Sequence, residues 1–169
     1  ADRWEGRDNL LALARMATLS YLDPEKQKEI ARLQAETRHF EVIDSKNNAQ
    51  LGFHAPDTGT QVSVLETQDA VLIAPRGTPL ALSSNPDVNL QWADLINDLN
   101  AFPTQNYTHT GRVHRGFKRA TDGIWEQLKP ILEKAQRYHK EVHLVGHSLG
   151  AAIATHIADR MHEELHELP

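Results

Sequence analysis

A glycine–serine turn is the feature of this sequence that most clearly suggests chemistry. Residues 146–150 read Gly-His-Ser-Leu-Gly and match the pattern G-x-S-x-G. The pattern directly follows an apolar run, Val142 to Val145, and directly precedes a segment with helical apolar spacing. In this context the glycines permit a tight turn that exposes the hydroxyl of Ser148, and the helix N-terminus supplies N–H groups where an oxyanion would form. The pattern therefore predicts a serine nucleophile for acyl transfer, and the alternative is a serine that only caps the helix.

A second pattern, near the end of the chain, could hold a metal. Residues 162–166 read His-Glu-Glu-Leu-His and match H-E-x-x-H, in which two histidines on one helix face bind Zn²⁺ while the glutamate acts as a general base. With 10 histidines in the chain such a pattern can arise by chance, and no third ligand follows it in these 169 residues. We expect a polar helix end without metal, and zinc bound by His162 and His166 is the alternative.

Apolar residues at helical spacing predict four helices around these motifs. The helices are expected over residues 7–21, from Pro24 until near Phe40, over residues 117–135 and over residues 149–168. Asp23 and Pro24 suit the start of the second helix, because aspartate caps a helix N-terminus and proline fits its first turn. Pro130 is expected to kink or divide the third helix.

Three apolar segments predict strands between the helices. Val62 and Val64 alternate with polar neighbours, which indicates a half-buried strand over Gln61–Glu66. The continuous apolar run at residues 70–74 is typical of a strand covered on both faces, and residues 142–145, Val-His-Leu-Val, are a second candidate for a buried strand. Residues 103–111 are predicted to be a loop. The order strand, helix, strand, helix predicts a parallel β-α-β unit.

Four motifs, taken in chain order, resemble a known family. They are Arg76-Gly77-Thr78 after an apolar strand, Trp92-Ala93-Asp94-Leu95, Val113-His114-Arg115-Gly116-Phe117, and Val145-Gly146-His147-Ser148-Leu149-Gly150-Ala151. With them the chain resembles the class 3 (fungal-type) triacylglycerol lipases of the α/β-hydrolase superfamily. The resemblance implies that residues 1–169 form a single lipase-like α/β-hydrolase domain. Its sheet would be mostly parallel, with flanking helices and an N-terminal helical segment.

The resemblance also assigns roles to individual residues. Ser148 would form an acyl-enzyme with a lipid carboxylic ester, and the Leu149 N–H and Thr78 would form the oxyanion hole. Asp94 would hydrogen-bond the Thr78 hydroxyl, or else cap a helix or loop. His114 is expected to pack and hydrogen-bond rather than to act as the base. No cofactor is required by this chemistry.

A serine nucleophile needs a base, and the base needs an orienting acid. In α/β-hydrolases both follow the serine, yet the histidines after Ser148 lie on the helix that leaves the turn, with His156 already roughly 12 Å away. No upstream histidine is expected to replace them: His39, His54, His109, His114, His139, His143 and His147. The sequence therefore predicts an incomplete domain that lacks the C-terminal strands carrying the acid and the histidine. The chain alone would be inactive, and a missing C-terminal segment or a complementing chain would be its partner.

The composition of the chain argues against several classes of binding partner and site. A net charge of −5 argues against nucleic acid, the lack of cysteine excludes disulfides and thiolate metal sites, and the apolar runs are too short to span a bilayer. The resemblance implies a lipid ester substrate at a lipid–water interface, with residues 79–91 as a lid or else a plain surface loop. It favours a secreted or membrane-associated protein. The competing function is a non-catalytic lipase-like fragment or pseudoenzyme with a binding role.

Overall fold

A mixed sheet with helices on both faces forms the described part of the protein. The computed structural model describes residues 7–34, 36–48, 50–77, 103–107 and 110–166. In chain order the elements are α1 (Arg7–Leu19), α2 (Pro24–Arg32), β1 (His39–Asp44), a 3-10 helix (Ser45–Asn47), β2 (Gln61–Glu66), β3 (Ala70–Pro75), β4 (Pro103–Gln105), β5 (Arg112–His114), α3 (Arg115–Arg137), β6 (Glu141–Leu144) and α4 (Leu149–Leu165). No helix within these ranges is long and apolar enough to cross a bilayer.

The main sheet has four strands in the order β1-β2-β3-β6. β1 pairs with β2 and β2 with β3 in antiparallel fashion, whereas β3 and β6 are parallel. Residues 67–69 join β2 to β3, and so short a connection permits only an antiparallel return. The predicted parallel unit is confirmed in β3, α3 and β6. The described sheet is mixed, where the sequence led us to expect a mostly parallel one.

β3 is the strand around which both cores form. All six of its residues are buried, and burial was predicted for residues 70–74 among them. On one face Val71 and Ile73 pack with apolar residues of α3 and α4, among them Ile124, Trp125, Leu128, Ile153 and Ile157. On the other face Ala70, Leu72 and Ala74 pack against Met16 of α1. The strand thus lies in the middle of a helix–sheet–helix arrangement, and its apolar run reflects burial on both sides.

The neighbouring strand β2 is more buried than its alternating pattern predicts. Val62 and Val64 face α3 and α4, and Ser63, on the opposite face, is only 2% exposed. Its hydroxyl donates a hydrogen bond to the side-chain oxygen of Gln27 from α2. The amide of Gln27 in turn donates to the carbonyl of Leu22 at 2.8 Å. The half-buried interpretation of β2 is wrong because a polar side chain from a helix satisfies its polar face.

The starts of the helices agree with the predictions better than their ends. Asp23 caps α2 as predicted, accepting from the N–H of Lys26 at 3.0 Å. However, α2 ends at Arg32 rather than near Phe40. The chain cannot stay helical to Phe40, because the backbone N–H of Arg38 already donates to the backbone carbonyl of Glu66 at 2.8 Å, where β1 begins to pair with β2. α3 continues through Pro130 without dividing. α4 ends at Leu165 instead of residue 168.

Residues 103–111, predicted to be a loop, contain part of a small hairpin. β4 and β5 pair in antiparallel fashion. Tyr107, between them, is 8% exposed and its hydroxyl donates to Asp122 of α3 at 2.8 Å. Its backbone N–H donates to Asp159 of α4 at 2.8 Å, and Arg160 also reaches Asp122 at 2.7 Å. Contacts to both helices therefore hold the hairpin, and these contacts leave no short-range signal in the sequence.

Replacing Gln27 by alanine tests the polar contact between α2 and β2. The change leaves the buried hydroxyl of Ser63 and the carbonyl of Leu22 without their partner. We expect a loss of about 2–3 kcal/mol in the free energy of unfolding, measured by urea denaturation. Gln34→Ala is the matched control, since Gln34 is exposed. Equal losses in the two variants would contradict the assigned role.

Candidate active site

The turn between β6 and α4 holds Ser148 in an unusual conformation. Ser148 has φ 55° and ψ −128°, a combination that costs a non-glycine residue on the order of 1–3 kcal/mol. The residue is exposed, and its side chain makes no capping hydrogen bond to α4. The structure therefore contradicts the alternative of a serine that simply caps the helix. The strained and exposed position is what the G-x-S-x-G pattern predicts.

Glycines flank Ser148 because backbone packs directly against backbone. A Cβ on Gly150 would lie 2.3 Å from the carbonyl oxygen of Pro75 at the end of β3. A Cβ on Gly146 would lie 2.5 Å from the carbonyl carbon of Gly150. Real Cβ atoms do not come this close, and neither neighbour is a side chain that could turn aside. The close approach of β3, the turn and α4 fixes the position of Ser148.

The first turn of α4 leaves one backbone N–H that could donate to a negative charge. Gly150 donates its N–H to His147 and Ala151 donates to Ser148, each at 3.0 Å. The N–H of Leu149 makes no backbone hydrogen bond to any residue that the structure describes. The N-terminus of a helix also carries a partial positive charge. An anion forming beside Ser148 would thus meet a favourable electrostatic environment.

Three other predicted site features lie outside the described residues. These are Thr78, Asp94 and the predicted lid at residues 79–91. Their assignments therefore remain predictions. Gly77, the residue before Thr78, is described and lies against the turn, where a Cβ would come within 2.6 Å of the His147 carbonyl oxygen.

The histidines nearest to Ser148 in sequence bond to other groups. His147 has its Nδ1 3.0 Å from the hydroxyl of Tyr21, and His143 has its Nε2 3.2 Å from Glu141. His156 donates from Nδ1 to the carbonyl of Ala152 at 2.8 Å. In the described ranges no hydrogen bond joins Ser148 to a histidine. Tyr21 had no place in the sequence prediction, and no local pattern marks it.

His114 caps α3, which confirms its expected packing and hydrogen-bonding role. Its Nδ1 accepts from the N–H of Gly116 at 3.1 Å, and its ring lies 4.9 Å from that of Phe117. Phe117 also contacts the ring of His156, at 5.8 Å. Burial, and secondly the charge of His156, lower the pKa of His114 below its usual 6.5. The folded protein therefore favours the neutral ring.

The H-E-x-x-H pattern does not build a metal site in the described residues. His162 is exposed on α4, whereas His166 lies beyond the end of the helix in a left-handed conformation with φ 56°. No group of three or more histidines, aspartates or glutamates in the described part of the chain could hold a metal ion. Glu163, which occupies the glutamate position of the pattern, is exposed, and the neighbouring Glu164 accepts from Trp125 and Lys129, each at 2.9 Å.

Comparison with known proteins identifies the family. The family model described as Lipase (class 3) matches residues 73–167, which is more than half of the chain. The chain belongs to the class 3 lipases. The matched region runs from β3 through α4 and includes the whole Ser148 turn. No curated protein matches the chain.

Comparison with a solved structure shows the fold of the chain. The triacylglyceride lipase of Rhizomucor miehei is similar with a TM-score of 0.58 and 19% sequence identity. The match covers 96% of this chain and 58% of that chain. The chain therefore has an α/β-hydrolase fold, and it spans somewhat more than half the length of the chain that it resembles.

Replacing Gly150 by alanine tests the close packing of α4 on β3. The added methyl group would overlap the carbonyl of Pro75, so we expect a loss of about 3 kcal/mol in the free energy of unfolding. Urea denaturation measures the effect. Gly111→Ala is the matched control, because nothing lies within 4 Å of a Cβ at that position. A Gly150 variant as stable as the control would disprove the proposed contact.

Replacing His114 by asparagine tests the effect of its lowered pKa. The unfolded chain binds a proton at this position more readily than the folded one, so stability should fall as the pH drops through 6.5. Asparagine keeps a capping acceptor but does not titrate. We therefore expect a shallower loss of melting temperature between pH 7 and pH 5 in the variant than in the unmodified protein. An unchanged slope would rule out this contribution.

Proposed function

We propose that the intact protein hydrolyses carboxylic esters of lipids, with Ser148 as the nucleophile. The observation that carries the proposal is an exposed, uncapped serine in a strained turn at the N-terminus of α4. Membership of the class 3 lipases supports it, since the family name itself denotes lipid ester hydrolysis. A strained turn that exposes the serine hydroxyl and leaves it out of helix capping is the arrangement expected where a base supplied from elsewhere activates that hydroxyl.

The reaction proceeds in two steps. In the first, the Ser148 oxygen attacks the ester carbonyl as a base removes the hydroxyl proton, and the carbonyl oxygen becomes an oxyanion. The oxyanion accepts hydrogen bonds from the Leu149 N–H and from Thr78, whose hydroxyl Asp94 orients. The alcohol then leaves with the proton, and Ser148 remains acylated. In the second step water attacks the acyl-enzyme, releasing the carboxylic acid and restoring the serine. No cofactor takes part.

The base and its orienting acid are assigned to residues other than the described histidines. His143, His147 and His156 already bond to other groups, and none hydrogen-bonds Ser148. We infer that a further polypeptide segment, in the same chain or in a complementing chain, supplies both groups. The 169 residues alone should then fold as a single domain without turning over esters. The substrate would be a lipid ester at a lipid–water interface, and residues 79–91 would form the lid. The protein would be secreted or membrane-associated.

Replacing Ser148 by alanine tests the proposed nucleophile. In the intact natural protein a fluorophosphonate probe should label the serine covalently, because it reacts only with an activated hydroxyl. Ser148→Ala should abolish labelling and lower ester hydrolysis by on the order of 10⁴-fold or more. Thr155→Ala is the matched control, since Thr155 is an exposed hydroxyl residue on the same helix. It should label as the unmodified protein does.

Other outcomes distinguish the competing functions. An intact protein that is never labelled would overturn the hydrolase proposal and favour a non-catalytic lipase-like protein with a binding role. Labelling that persists in the Ser148 variant would assign the nucleophile elsewhere. Stoichiometric zinc by elemental analysis, with chelator-sensitive proteolysis, would instead support a site at His162 and His166.

A further inference from the structure

Tyr21 reaches the Ser148 turn from the N-terminal part of the chain. Its hydroxyl lies 3.0 Å from Nδ1 of His147 and donates to the carbonyl oxygen of the same residue at 3.3 Å. The two rings also meet edge to face, with centroids 6.1 Å apart. One phenol thus contacts both the side chain and the backbone of the residue before Ser148.

The same hydroxyl also contacts Gly77, just beyond β3. A Cβ on Gly77 would lie 2.1 Å from the Tyr21 hydroxyl oxygen and 2.6 Å from the His147 carbonyl oxygen. Only a glycine leaves room for the phenol at this point. The Tyr21 hydroxyl therefore fills the junction at which the continuation of β3 meets the turn between β6 and α4.

The electrostatic surroundings keep Tyr21 a hydrogen-bond donor. Burial raises the pKa of the phenol, and the nearby charge of Arg76 lowers it by less. Arg76 is itself held in place by Gln61, through its backbone N–H at 2.9 Å and its guanidinium at 2.8 Å. The phenol is accordingly protonated at neutral pH and available to the His147 carbonyl.

We propose that Tyr21 is a positioning residue for the reaction at Ser148, an inference that depends on the proposed function. By holding the His147 carbonyl against Gly77, its hydroxyl fixes where the strained turn places the Ser148 oxygen and the Leu149 N–H. Oxyanion stabilisation requires donors within a few tenths of an ångström of their best position. A misplacement of about 1 Å can cost on the order of 10²-fold in rate. Tyr21 acts through the turn and does not touch the substrate.

Tyr21→Phe, made in the intact natural protein, removes only the hydroxyl. We expect kcat for ester hydrolysis to fall by about tenfold or more, with KM changed less than about twofold, because positioning acts on the transition state. The measurement is made well below the melting temperature of the variant, so that lost stability does not contribute. Tyr138→Phe is the matched control, since Tyr138 is 63% exposed.

A second measurement does not depend on activity. Hydrogen exchange at the amides of residues 147–149 should become faster in Tyr21→Phe, and the ¹⁵N shift of the His147 ring should change. Unchanged exchange would overturn the proposal, as would faster exchange with an unchanged kcat, because Tyr21 would then be merely structural. Failure of the proposed function is seen separately, as absence of Ser148-dependent labelling in the unmodified protein. In that case the proposed positioning role of Tyr21 is disproved as well.

Discussion

The end of β3, the Ser148 turn and the first turn of α4 meet with backbone against backbone. Gly150 faces the carbonyl of Pro75, and Gly146 faces Gly150, at distances that no Cβ could tolerate. Ser148, in the turn between these two glycines, has a positive φ of 55°. Strain of this kind persists only where the surrounding structure supports it. The remaining architecture can be understood as that support.

Both faces of the sheet contribute. α3 and α4 cover one face of β3 and α1 covers the other, so the strand that ends beside Ser148 cannot shift toward either side without opening a cavity. A polar cluster fixes α4 at its opposite end. There, burial raises the pKa of Glu164, but hydrogen bonds from Lys129, Arg160 and Trp125 outweigh it and lower the pKa to about 2. The helix is thus anchored along its length, and its N-terminus is held in place.

In this turn the exposed Ser148 lies next to buried backbone that supports it. Ser148 is exposed, while its neighbour Gly150 is buried and contacts β3. Helix capping does not use the serine hydroxyl, which leaves it available for reaction. The N-terminus of α4 also contributes a partial positive charge beside this hydroxyl. This combination of an exposed hydroxyl and a buried support is one of the observations on which the proposed role of Ser148 rests.

Local sequence determined much of this protein. The apolar run at residues 70–74 predicted β3, Asp23 and Pro24 predicted the start of α2, and the G-x-S-x-G pattern predicted the Ser148 turn. The position of β6 was also predicted, but its four residues are half-buried rather than buried. Each of these depends on residues within a few positions of one another, so periodicity, capping and turn chemistry are sufficient. The mixed sheet, in contrast, depends on which strands pair with one another, and the sequence does not specify the order of strands in the sheet.

Tertiary structure alone decided the contacts that bring distant residues together. The pairing of Ser63 with Gln27 turned an apparently half-buried strand into a buried one, and contacts to α3 and α4 stabilised a hairpin predicted as a loop. Tyr21 meets His147 across 126 positions of sequence. A tyrosine carries no local mark of its partner, because a long-range hydrogen bond exists only after the intervening strands and helices have packed.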